Sequence, residues 1–499
     1  MAFPARLAVR DFTASIVVFL VAMPLCMGIA VASGVPPEKG LITGIIGGLI
    51  VGVLAGSPLQ VSGPAAGLAV IVFEIVREHG LAALAPILIV AGVLQVAAGT
   101  FKLGGWFRAI SPAVVHGMLA GIGALIVIGQ FHVLFDSKPL PSGLENIAAM
   151  PGRVLGLSFT DVRTTEMAVA IGLITIVAML IWEKFRPASL RLVPGALVGV
   201  VLATLVAYFA GLDVARVQVP ASIVAAITPP EQGLLGQMLS PAVLATAFAV
   251  AFIASAETLL SAAAVDRMHD GPRSNYDKEL RAQGIGNVLC GFAGALPMTG
   301  VIVRSSANVQ AGAVTRLSAI LHGAWILGFV ALLPWLLREI PMASLAGILV
   351  VTGWRLVSLT HVRHLFQKHG MLPAVIWAAT FVMVVATDLL TGVLVGIGLA
   401  MLELLPHLRR LRLKVDMQEG PTRNELSLKG AATFLAIPKV IKVLDSVPED
   451  RPLRVDLEGV DTIDHSFAEL MGEWLKRQRE RGMKIELAGP SSKLVRLAG

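Results

Sequence analysis

The sequence predicts a polytopic α-helical membrane protein of fourteen spans, arranged as two inverted repeats of seven (7+7), followed by a small soluble α/β domain. Three observations lead there. The chain is 56% hydrophobic and only 15% charged over 499 residues, against about 25% charged in soluble proteins. The charges are unevenly placed: the last 86 residues carry 14 basic and 14 acidic side chains, whereas the preceding 413 carry 26 and 19. Finally, two apolar segments at matching places in the two halves are too short to cross a bilayer.

Breaks at charges, prolines and glycine clusters delimit the spans, each measured against the roughly 20 apolar residues a membrane helix needs. They fall near 12–32, 40–56, 64–77, 82–101, 112–131, 165–182 and 193–211 in the first half. The second half supplies 241–263, 282–296, 299–312, 316–336, 341–357, 371–387 and 389–405. The first segment could pass for a cleaved signal peptide, but more than ten comparable ones follow it, so it reads as span 1.

Basic residues test the count, because they concentrate in cytoplasmic loops. Arg6 and Arg10, Lys102 and Arg108, Lys184 with Arg186 and Arg191, the 267–281 loop, Arg363 with Lys368, and Arg409, Arg410, Arg412 and Lys414 all fall on one side. The opposite connections, such as 132–164 and 212–240, are longer and carry few bases. An even number of spans with both termini cytoplasmic follows, and the net charge of +7 reports topology rather than a nucleic-acid partner.

Span 3 is preceded by Gly56-Ser57-Pro58-Leu59-Gln60-Val61-Ser62-Gly63-Pro64, leaving about 14 residues before Arg77 and Glu78. At 1.5 Å per residue that helix is about 20 Å long, short of a hydrocarbon core of about 30 Å. Span 10 follows Gly294-Ala295-Leu296-Pro297-Met298-Thr299-Gly300 and ends near Gly312. The first half-helix is approached from the cytoplasm and the second from outside, as two oppositely oriented repeats over about 11–211 and 241–405 require. Ordinary Pro/Gly kinks are the alternative.

A helix N-terminus carries about half a positive charge and unpaired N–H donors, so two that face each other favour an anion. Ser62, Gly63, Pro64, Ala65 and Ala66 at span 3, with Thr299, Gly300 and Val301 at span 10, are the expected contacts. Arg304 lies just inside span 10, where a charge is costly enough to point to function; it holds or attracts the anion, or pairs with Glu257. Glu257, within span 8, is either that structural partner or a proton or cation coupling site. Glu38, after Pro36-Pro37, is a second coupling candidate or a solvated loop acid.

In the tail, Arg454–Leu457 and Lys484–Leu487 alternate as half-buried strands, and Ser466–Arg481 forms an amphipathic helix. Cys26 and Cys290 sit in apolar runs with no metal-ligand spacing, which leaves no metal or cofactor to expect. No His/Glu metal spacing, G-x-S-x-G elbow or nucleotide loop marks the spans as an enzyme.

Pro24, the run Ala32-Ser33-Gly34-Val35-Pro36-Pro37, Gly40-Leu41 and Val61-Ser62-Gly63-Pro64 resemble the N-terminal signature of the sulfate permease (SulP) family. Asn275 to Leu280, Gln283-Gly284-Ile285-Gly286-Asn287, and Arg304 through Asn308 to Gly312 resemble its second-half motifs. The resemblance covers nearly the whole chain. It implies a core domain of spans 1–4 and 8–11, a gate domain of spans 5–7 and 12–14, elevator-like alternating access, and a homodimer. It also implies a transmembrane domain over 1–413 and a cytoplasmic STAS domain over 414–499, in an inner-membrane carrier of a small anion driven by protons or sodium.

Three positions depart from the family pattern. Leu25 stands where many members have Gln, and Ala65 where animal members have Phe, which implies a roomier pocket able to take a dicarboxylate as well as sulfate or bicarbonate. In the tail, Asp464-His465-Ser466-Phe467 stands where related STAS domains place a phosphorylatable Ser, making Ser466 a regulatory candidate and an N-cap, but Phe467 replaces a usual small residue. A channel, an exchanger or a nucleobase carrier of the same architecture are the alternatives, and what the tail binds is not legible.

Overall fold

The computed structural model describes residues 5–107, 111–140, 142–157, 164–190, 192–220, 222–230, 232–269, 271–357, 371–402, 413–420, 423–433, 436–444, 447, 451–480 and 482–490. Arg108, Arg191, Arg363, Lys368, Arg409, Arg410 and Arg412, counted above among the inner-side charges, lie outside the described residues, as does the stretch leading into the tail.

Each expected span carries a helix. In the first half these are Ala5–Ala32, Pro37–Ile46 with its extension to Leu54, Ala66–His79, Leu84–Thr100, Pro112–Leu134, Thr164–Phe185 and Gly195–Phe209. The second half has Pro241–Asp266, Tyr276–Ala293, Ile302–Gln310, Leu317–Leu332, Met342–Leu356, Met371–Ala386 and Leu389–Leu402. Among the described residues, six helical stretches are long and apolar enough to cross a membrane unaided. The helices of spans 3 and 10 have 14 and 9 residues, as the half-helix reading requires.

Span 9 begins at Tyr276, six residues before its expected start. Asn275 caps it by accepting from the Lys278 N–H at 2.9 Å, and Asp277 and Glu279 sit in its first turn, where the helix dipole favours acids. Hydropathy misses this turn because its charges look solvated, yet Glu279 is fully buried. The 132–164 connection, expected only as a long loop, contains the amphipathic helix Gly143–Leu155, capped by Ser142, which accepts from the Glu145 N–H at 3.1 Å.

The chain divides into two compact units. The first comprises residues 1–104, 122–357 and 385–389. Small residues let its helices approach closely: a β-carbon on Gly92 of span 4 would lie 2.5 Å from the Gly284 carbonyl oxygen of span 9. Spans 2 and 11 meet likewise, where a β-carbon on Gly48 would be 2.5 Å from the Cα of Gly323. Just before that crossing ends, span 2 widens into a π-helical turn, Gly47–Val51. The connection between the two halves is pinned at several places. Val217 donates its N–H to the Ile340 carbonyl at 2.9 Å, and the buried Lys39 donates to the Ala226 carbonyl at 2.7 Å and to Thr228 Oγ1 at 2.8 Å.

The second unit comprises 105–121, 358–384 and 390–499. Within it Ala113, Val114 and Ala120 pack with Ile376, Trp377 and Ala400. The tail forms a sheet of β3 (Leu413–Glu419), β4 (Asn424–Ala432), β5 (Leu453–Asp456), β6 (Val460–Ile463) and β7 (Ile485–Ala488). The order is β3-β4-β5-β7 with β6 also paired to β4, and every pairing except β3–β4 is parallel. The two strands read from alternation, β5 and β7, are adjacent. Asp464, and not Ser466, caps the helix His465–Glu480, accepting from the Phe467 N–H at 2.8 Å. A carboxylate three residues before that N–H meets the N-cap geometry, which places Ser466 inside the first turn; the Ser466 side chain lies outside the described residues. Phe467 is fully buried in the tail's core, which accounts for a large residue there.

Candidate binding site at the paired half-helices

Both extended segments end in a three-residue strand. β1 (Ser62–Pro64) pairs antiparallel with β2 (Met298–Gly300), with Ser62 opposite Gly300, Gly63 opposite Thr299 and Pro64 opposite Met298. All six residues are buried. This ribbon meets the demand that irregular backbone at membrane depth be satisfied within the protein. It also joins the repeats, since each strand comes from a different half.

The half-helices start directly after the strands, from the extended residues Ala65 and Val301. The groups expected to hold an anion are not equally available. The Val301 N–H donates to the Val61 carbonyl at 2.9 Å and the Gly300 N–H to Thr258 Oγ1 at 3.1 Å. Ser62 Oγ accepts from Gln283 Nε2 at 2.6 Å. These three, expected as direct contacts, are engaged in holding the ribbon, because a pair of strands this short leaves its outer edges to be satisfied by neighbouring helices. The N–H groups left over are among those of the first helical turns, beginning at Ala66 and Ile302; the Gly67 N–H faces the Glu257 carboxyl and the Leu68 N–H donates to the Ala65 carbonyl at 3.3 Å. Val301 and Ala66 are half-buried, while Ile302 and Val303 are 37% and 38% exposed.

Span 10 also anchors the segment before span 3. Ser305 Oγ accepts from the Val61 N–H at 2.9 Å, and Asn308 Nδ2 donates to the Leu59 carbonyl at 3.0 Å. Gln60 Nε2 donates to the Thr258 carbonyl at 2.9 Å, which brings its amide so close to Gly300 that a β-carbon there would sit 1.8 Å away.

Arg304 is fully buried, and Nε, Nη1 and Nη2 have no hydrogen-bond partner among the described residues. Its guanidinium lies against Gly63, where a β-carbon would meet Nη1 at 2.0 Å. The pairing with Glu257 left open by the sequence is not formed. Span 8 instead presents the Glu257 carboxyl to the first turn of span 3, where a β-carbon on Gly67 would lie 2.7 Å from Oε2. Among the described residues that oxygen has no hydrogen-bond partner, nor does the hydroxyl of fully buried Thr299. Buried polar groups are nearly always paired, so this concentration of orphans around one ribbon marks a place built for something else to complete.

Leu25 and Ala65 are buried, at 4% and 2% exposure, and span 1 packs against β1. Glu38 is elsewhere: it lines a cavity of about 1010 Å³ with Asp213, Arg216 and Arg338, to which no half-helix residue contributes. Thr258, Ser305, Asn308 and Gln60 also hold the ribbon, and the sequence marks them only as hydroxyls and amides within or beside apolar spans.

Residues 9–380 match the sequence model of the sulfate permease family. The chain is 29% identical to "Putative sulfate transporter YvdB" of Bacillus subtilis over 97% of its own length and 92% of that protein's. In structure it is similar to the transmembrane domain of a cyanobacterial bicarbonate transporter, BicA, with a TM-score of 0.67 and 23% identity over 79% of this chain and 99% of that one. It is also similar to the overall structure of SLC26A9, with a TM-score of 0.70 and 16% identity over 99% and 86% of the two chains.

Proposed function

We propose, because this chain belongs to the sulfate permease family, that it is a secondary carrier which moves an anion across the membrane by alternating access. The observation that carries the reading is Arg304. A buried cation without a counter-charge costs several kcal/mol, and among the described residues no acid pairs with the Arg304 guanidinium, which lies against Gly63 and beside the Cys26 thiol. An anion at the adjacent first turns of spans 3 and 10 supplies the missing negative charge, and the two helix dipoles add to the same field.

The reading assigns roles by position. Arg304 acts from behind β1, through Gly63, and the first-turn N–H groups make the direct contacts. Glu257 faces the same first turn of span 3, so a proton or sodium ion bound there would offset its charge as the anion arrives; this makes it the coupling site in preference to Glu38. Leu25 and Ala65 leave room for a dicarboxylate beside sulfate or bicarbonate. Residues 1–413 form the transport domain and 414–499 a cytoplasmic STAS domain. The carrier works in the inner membrane as a homodimer with both termini in the cytoplasm.

Uptake into proteoliposomes over a panel of sulfate, bicarbonate, chloride and a dicarboxylate, with imposed proton or sodium gradients, tests the proposal. Saturable, gradient-driven accumulation of at least one anion is expected; ohmic current without saturation would show a channel instead.

A further inference from the structure

One helix holds both backbone segments of the site. Span 9 presents Glu279, Gln283 and Asn287 four residues apart, hence on one face, and all three are fully buried. Glu279 Oε2 accepts from the N–H groups of Gly56 and Ser57, each at 2.8 Å. Gln283 Nε2 donates to Ser62 Oγ at 2.6 Å and to Glu279 Oε1 at 3.0 Å. Asn287 accepts from the Met298 N–H at 2.8 Å and donates to the Met298 carbonyl at 3.2 Å and to Gln95 Oε1 at 2.7 Å.

The stripe thus reaches the segment leading into span 3 at two levels and β2 at a third. Asn287 takes both backbone groups of Met298, as a further strand of a sheet would. A two-stranded ribbon of this length is marginal by itself, and it cannot fix how far apart the two half-helix starts sit. The neighbouring face of span 9 is packed on span 4 at Gly92 and Gly284, and Asn287 itself reaches Gln95 of span 4, so the stripe is mounted on a close-packed pair of helices.

We propose that Glu279, Gln283 and Asn287 are positioning residues for anion binding: they fix the starts of both half-helices to one helix, so that the two N-termini keep the separation an anion needs. This rests on the reading that the anion sits between those N-termini. None of the three touches the anion; each acts through the backbone it holds.

The test compares KM, maximal rate and thermal unfolding of the full-length protein in proteoliposomes, using whichever of radiolabelled sulfate, bicarbonate or a dicarboxylate the unaltered protein accumulates. Asn287→Ala is expected to raise KM about tenfold or more, because a displacement of about 1 Å can cost up to about 10²-fold, with a smaller change in maximal rate. Val288→Ala serves as the comparison: Val288 lies against Gly92 of span 4, on a face of span 9 turned away from the stripe, so it should lower the unfolding temperature and leave KM unchanged. If Asn287→Ala does not reach the membrane, Gln283→Leu keeps the side-chain volume, deletes the Ser62 contact and gives the same readout. A KM within twofold of the unaltered protein in these variants, or an equal rise in Val288→Ala, overturns the positioning role. Absence of saturable uptake by the unaltered protein would instead overturn the carrier reading itself.

Discussion

The guanidinium of Arg304 is seated against the Cα of Gly63, with no room for a side chain between them: a β-carbon would come within 2.0 Å of Nη1. Gly63 lies on β1 and Arg304 in the first turn of span 10. The contact therefore ties the charge of one repeat to the backbone of the other. Gly63→Ala must displace the guanidinium or part the strands. Initial uptake at subsaturating anion should fall at least about tenfold, since a displacement of about 1 Å can cost up to about 10²-fold, with membrane abundance retained. Unchanged uptake would show that the contact is incidental.

Replacing the arginine separates charge from shape. Arg304→Ala should reduce uptake by about 10²-fold, the range seen when one stabilising group is removed from a preorganised polar site. Arg304→Lys keeps the charge but not the planar fork, and should retain part of the uptake with a raised KM. Equal activity in all three proteins would remove Arg304 from the site.

Glu257 and Glu38 make opposite predictions. Glu257→Gln should abolish the response to an imposed proton or sodium gradient while leaving anion counterflow, because the coupling charge is lost and the first-turn N–H groups remain. Glu38→Gln, altered in a separate cavity, should leave the gradient response and its pH dependence unchanged. A reversal of these outcomes would move the coupling site to the start of span 2.

Ala65 tests the size of the pocket. As the residue from which span 3 starts, and only 2% exposed, it leaves a large side chain no direction but inward. Ala65→Phe should therefore cut dicarboxylate competition more than chloride or bicarbonate competition in the uptake assay. Equal losses across the panel would argue for misfolding or general obstruction.

Much of this architecture was legible in the sequence because hydropathy, glycine clusters and inner-side charge report span position directly. The two half-helices follow from the Gly/Pro breaks at matching places and the short apolar stretches after them. What escaped has a common physical cause. Glu279 reads as a solvated acid until its partners, the N–H groups of Gly56 and Ser57, are seen some 220 residues away in sequence. The same holds for Thr258 at Gly300 and Ser305 at Val61: each is a side chain completing a distant backbone, and no local pattern announces it. The cap at Asp464 was missed for a different reason, since Asp and Ser are both good N-caps and only the helix start chooses between them.

The β1–β2 ribbon also sets an order of events during synthesis. Its strands are separated by about 240 residues. At about 5–20 residues per second of elongation, β1 waits roughly ten to fifty seconds for its partner to emerge. Through that interval the first seven spans hold a broken helix whose extended backbone lacks its partner strand. The first repeat therefore cannot reach its final form alone, and the newborn chain depends on its second half, or on whatever shelters it in the meantime, to close.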